Sequence, residues 1–243
     1  MTEQEWQKGE DATPMTAFLR RRGVSDRKAR LFYTACYRVA WEEDPPLPAL
    51  WEVIEVAERW VDGFASETER AWAENRARSL LTGMHGWLSS WQEAANVSAA
   101  ARAQLGDLVT LEELEEAEQR ERYCERVSAR VAAALVSTEL EHDVGSLDLA
   151  NRVETPCDGV SILRDIFGNP FRPVAFDPEW RTSTAVALAK QMCESRDFST
   201  MPILADALQD AGCDNADIFN HCRDPHGVHV RGSWVVDLVL GKT

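Results

Sequence analysis

The sequence has no Cys-x-x-Cys pair and no apolar run near the roughly 20 residues that cross a bilayer. It also has no Gly-x-Ser-x-Gly, His-Glu-x-x-His, Walker or glycine-rich dinucleotide motif. The first absence excludes a dense disulfide framework. Six cysteines, at 36, 124, 157, 193, 213 and 222, lie scattered, as expected of reduced thiols in a cytoplasmic protein. The second excludes a helical membrane span. The third leaves no familiar catalytic signature, so the expectation is a non-catalytic protein. Positive charge is scarce too: 26 Lys and Arg against 41 Asp and Glu give a formal charge of −15. A field of that sign repels phosphate backbones and anionic lipid, which disfavours nucleic acid and favours a protein partner. Met1 to Glu5 is polar and acidic, unlike a signal peptide.

What is present points to a folded, mainly α chain. Of 243 residues, 44% are hydrophobic and nine are tryptophan, enough to bury a core and unlike a disordered polymer. Thr13-Pro14 predicts a helix start and Gly23 its stop; Ser25 or Asp26 predicts the next cap. The helix that follows carries Leu31, Phe32, Ala35, Cys36, Val39 and Ala40 on one face, and Asp44 to Pro48 breaks it. Leu50, Val53, Ile54, Ala57, Trp60 and Val61 repeat at helical spacing, and Ser66 with Glu69 forms a capping box. A long charged helix is expected over 111–141, with nine acids against four arginines after position 111.

The resulting expectation is a multi-helix N-terminal bundle over 1–142, a linker over 143–160, and a smaller, mostly helical region over 161–243. Pro-rich crossings at Gly168 to Pro173 and Asp177-Pro178 interrupt the last region. Thr182 or Ser183, Pro202 and Asp214 are expected to open its helices. Trp234 to Leu240 is β-branched, but Ser233 before it and Gly241 after it favour a short helix.

Three stretches resemble an uncharacterised paralogous family of planctomycete bacterial proteins. They are Leu163 to Val174 (LRDIFGNPFRPV), Pro202 to Leu208 (PILADAL) and His229 to Leu238 (HVRGSWVVDL). Ser25 to Lys28 with Cys36 is similar to the family's opening, and Glu69 to Ala134 resembles its alanine- and arginine-rich middle in composition. The sequence departs at Ser233, where many members are expected to carry cysteine. The resemblance implies a class and a bacterial, cytoplasmic setting, and it implies no activity.

Two clusters are candidate sites. Cys222, His226 and His229, with His221, could furnish the Cys and His ligands zinc favours. Cys213 stands nine residues before Cys222, about 13 Å along a helix, too far to share the ion. A Cys222 nucleophile with His226 or His229 as base and Asp224 as orienter is a weaker pattern, since such groups usually come from distant segments. The competing reading places Cys213 and Cys222 in the core and His221 at a helix end. The second cluster is Arg20, Arg21, Arg22, Arg27, Lys28 and Arg30, which could grip phosphates at a helix–turn–helix-like junction or simply cover apolar surface. Asp206, Asp210, Asp214 and Asp217 read as a solvated acidic face.

Overall fold

A computed structural model describes residues 1–43, 48–79 and 159–242. Among these residues all regular structure is helical, as the apolar spacing predicts. The helices run α1 (Glu3–Lys8), α2 (Ala12–Arg22), α3 (Asp26–Glu43), α4 (Pro48–Val61), α5 (residues 67–79), α6 (Gly159–Phe167), α7 (Ser183–Ser195), α8 (Met201–Asp210), α9 (Ala216–Cys222) and α10 (Trp234–Leu240). A single 3₁₀ turn covers Pro178–Trp180. No described helix is long and apolar enough to cross a membrane. The expected 111–141 helix and nearly all of the 143–160 linker lie outside the described residues.

The chain divides into two compact units, one of Met1–Glu42 with Asp148–Thr243, the other of Glu43–Leu147. This corrects the expected 1–142, 143–160 and 161–243 organisation. The reason is a set of contacts that local periodicity cannot show. Trp6 is buried and its Nε1 donates to the Gly168 carbonyl at 3.0 Å. Arg164 donates to the Trp6 and Gly9 carbonyls at 2.8 and 2.7 Å, closing the C-terminal end of α1. Phe18 of α2 stacks on Phe171 with ring centroids 5.1 Å apart, and the Arg22 guanidinium lies over both rings.

Local chemistry explains most helix ends, with two shifts from expectation. Asp11, rather than Thr13, caps α2 by accepting from the Thr13 amide, and Asn215, rather than Asp214, caps α9. Thr182 caps α7 as expected. Helix α1 went unanticipated, although Thr2 and Glu5 form a full capping box around it. Helix α10 confirms the helical reading of Trp234 to Leu240.

The first unit's C-terminal core joins α7, α8, α9 and α10 through Met192, Leu204, Leu208, Ile218, Val235 and Val239. Two glycines bring the chain ends together there. Gly168 (φ +62) ends α6 against the Trp234 ring, and Gly232 (φ +94) passes Leu31 so closely that a Cβ would lie 2.8 Å from its Cδ1. Both need a left-handed backbone and a missing side chain. In the second unit, α4 buries Leu50, Val53, Ile54 and Ala57, and α5 buries Ala73 and Ala77. Ser66 and Glu69 form the expected capping box, with Ser66 Oγ accepting from the Glu69 amide and Glu69 Oε2 accepting from the Ser66 amide.

A candidate metal centre

Helix α6 is a short apolar element with one acid on its buried side. Val160, Ile162, Leu163 and Ile166 are buried, and so is Asp165, whose side chain is 1% exposed. Burying a lone carboxylate is costly unless several groups satisfy it. Three do. His229 Nδ1 lies 2.9 Å from Oδ1, His221 Nε2 lies 3.1 Å from the same oxygen, and the Val230 amide donates to Oδ2 at 2.9 Å. Burial pushes the Asp165 pKa up, but hydrogen bonds and favourable charge from His221 and His229 outweigh it and hold the carboxyl below its ordinary value.

Each partner arrives from a different segment. His221 sits on the last turn of α9, with its ring 4.9 Å from that of His229 and 5.2 Å from that of Trp234. His229 belongs to the loop between α9 and α10, which Gly232 seats against Leu31. Ser233 occupies the cap position of α10 but makes no capping bond. Its hydroxyl instead lies 3.2 Å from His221 Nε2 and is fully buried. A serine cap typically contributes about 1 kcal/mol to a helix; here that oxygen is turned toward the cluster. The Asp165, His221 and His229 ligand atoms all lie within 4.8 Å of one another.

The other anticipated zinc residues lie apart from this centre. Cys222 is buried in the core beside α7 and α8, and burial foremost, then the field of Asp165, pushes its thiol up to about 12. It is a protonated thiol at neutral pH, without the ready thiolate a nucleophile needs. His226 is exposed on the loop, where its amide donates to Asp224 Oδ1 at 3.0 Å. Cys213 is a core residue. The centre therefore brings together two of the four anticipated residues, His221 and His229, and adds Asp165 and Ser233. The missed signal was a single acid at a core position of an apolar helix.

The basic cluster is dispersed into internal contacts. Arg27 grips Asp237 of α10 bidentately at 2.6 and 2.8 Å, and Lys28 donates to the Ile166 carbonyl at 2.7 Å. Burial lowers the Lys28 pKa, an effect that nearby Asp237 partly offsets. Arg20 donates to the Tyr33 hydroxyl, Arg22 to the Pro170 carbonyl, and Arg30 is buried; Arg21 is exposed. Asp206, Asp210, Asp214 and Asp217 are exposed, as a solvated face requires.

The fold and site thus define a mainly helical protein with a buried Asp–His–His cluster. No family model, curated protein or solved structure matches the chain.

Proposed function

We propose that the chain is a metal-binding protein that holds a divalent transition ion, with zinc the best fit, at Asp165, His221 and His229, with Ser233 on the fourth side. The observation that carries this reading is two imidazole nitrogens aimed at one buried carboxylate oxygen. Zinc takes nitrogen and carboxylate ligands at about 2.0–2.2 Å, so tetrahedral ligand atoms stand roughly 3.3 Å apart. The two nitrogen–oxygen separations, 2.9 and 3.1 Å, are close to that spacing. The second shell is furnished as well, because the Val230 amide orients Asp165 through its other oxygen. The enclosed position suits a structural ion rather than one with an open face. The segments that resemble the planctomycete family supply Asp165, His229 and Ser233, and we extend the reading to that family.

Elemental analysis of untagged protein purified without chelator tests this. About one zinc per chain is expected, with His221→Ala abolishing it and Cys222→Ala or His226→Ala retaining it. Well under one ion per chain, or an ion that survives His221→Ala, removes the proposal.

A second reading, an adaptor or regulator acting through protein contacts in the cytoplasm, draws on the second unit. There Phe64 is 61% and Trp72 47% exposed, and aromatics are enriched at binding hot spots. Cross-linking in the native host tests it: links to one partner should cluster around Trp72 and vanish with Trp72→Ala. Links spread evenly over the chain would count against it.

A further inference from the structure

We infer that the cavity on the far side of His229 binds a small molecule carrying a carboxylate. The inference rests on the metal reading, because coordination through Nδ1 leaves the ring proton on Nε2. That nitrogen is buried and has no hydrogen-bond partner among the described residues, while the side chain as a whole is 8% exposed. A buried donor left without an acceptor costs about 1–3 kcal/mol, so the site calls for an oxygen there.

The cavity has the means to hold that oxygen. Its volume is about 390 Å³, and His229, Gly227, Arg196, Ser199 and Met201 are among its lining residues. A Cβ on Gly227 would stand 3.1 Å from His229 Nε2, so this edge of the ring lies beneath a residue with no side chain to cover it. The N-terminal end of α8 opens on the same cavity. That ten-residue helix lacks a side-chain cap at Thr200, leaving the positive end of its dipole to a ligand. Arg196 adds a fixed cation to the lining.

Asp197 and Asp224 also border the cavity, and they narrow the ligand class. Each turns one oxygen onto a backbone amide, Ser199 at 2.9 Å and His226 at 3.0 Å, but their charge still opposes a dianion. A singly charged carboxylate fits this balance better than a phosphate. The apolar walls, Met201 and Phe198 among them, suit a compact aliphatic body.

The test uses the full chain, zinc-loaded and metal-free, titrated with sodium acetate against sodium chloride of equal ionic strength. Amide and histidine-ring nitrogen resonances are followed. Zinc-loaded protein should show saturable shifts at His229, Ser199 and Met201, and metal-free protein weaker ones. Arg196→Gln should weaken acetate affinity about tenfold, the loss expected of one charged hydrogen bond, without changing zinc content. Zinc bound with no saturable acetate response overturns the cavity assignment alone, as does an unchanged affinity in Arg196→Gln, which would place acetate on the metal. Failure to bind zinc at all removes the metal reading and this inference with it.

Discussion

In the unit built from both ends of the chain, the pairs Asp165–His229, Trp6–Gly168 and Arg27–Asp237 join residues 64, 162 and 210 positions apart. In α4 and α5 the pairs Arg59–Glu69, Arg70–Glu67 and Arg78–Glu74 join residues 10, 3 and 4 apart, each with a partner well exposed to water. The two regions use the same side-chain types for different ends. Neighbouring pairs on a helix surface contribute a few tenths of a kcal/mol and favour the helix itself. Distant buried pairs add little net stability when intact, but removing one partner is costly, so they dictate which segments must meet. Sites that need convergent ligands arise in the second kind of region.

Substitutions can break this contrast, and the largest effect should come from Asp165→Ala. It deprives two imidazoles and the Val230 amide of their acceptor, and urea unfolding should register a loss of about 3–5 kcal/mol. A loss below about 1 kcal/mol would mean the network is slack. The same carboxylate gives the unit an acid dependence. Its folded pKa lies below the unfolded value of about 3.9, so its contribution is complete above that pH and disappears as the pH falls through the folded value. Arg27→Ala comes next, at about 3 kcal/mol, because Asp237 stays buried with only Lys28 nearby, at 3.7 Å. Zinc content should survive that change, separating the α3–α10 link from the metal centre.

Trp6→Phe should cost about 1–3 kcal/mol by leaving the Gly168 carbonyl unpaired, measurable as a lower urea midpoint at unchanged slope. Smallest of all should be Glu69→Gln in the other unit. Ser66 first, then Arg59, holds the Glu69 carboxyl at about 2, against 4.5 for an ordinary glutamate. Its contribution is therefore present above pH 4.5 and fades toward pH 2. Circular dichroism should show a slight loss of helix at neutral pH and none at the acid end. An effect as large as that of Asp165→Ala would erase the distinction between the two regions.

How legible these features were follows from their range. Helix class, the α5 capping box, the Gly23 stop and the helical α10 all depend on residues within a few positions of each other. Sequence spacing therefore announces them. The division of the chain does not, because nothing near Trp6 marks Gly168 as its partner. At the candidate centre, His221 and His229 drew notice by residue type and proximity. Asp165 did not, since an acid in a helix is ordinarily a surface residue and only tertiary packing buried this one. Arg27 and Lys28 looked like a phosphate grip for the converse reason: their partners, Asp237 and the Ile166 carbonyl, lie far along the chain.

The pairing of the first 42 residues with the last stretch has a consequence for biosynthesis. A ribosome adds roughly 5–20 residues per second, so the 162 positions from Trp6 to Gly168 take roughly 8–32 s to appear. Throughout that interval the apolar sides of α1 to α3 have been made while the segments that cover them have not. The nascent chain is thus a natural client for holding chaperones, and slowing translation should enlarge the fraction that aggregates.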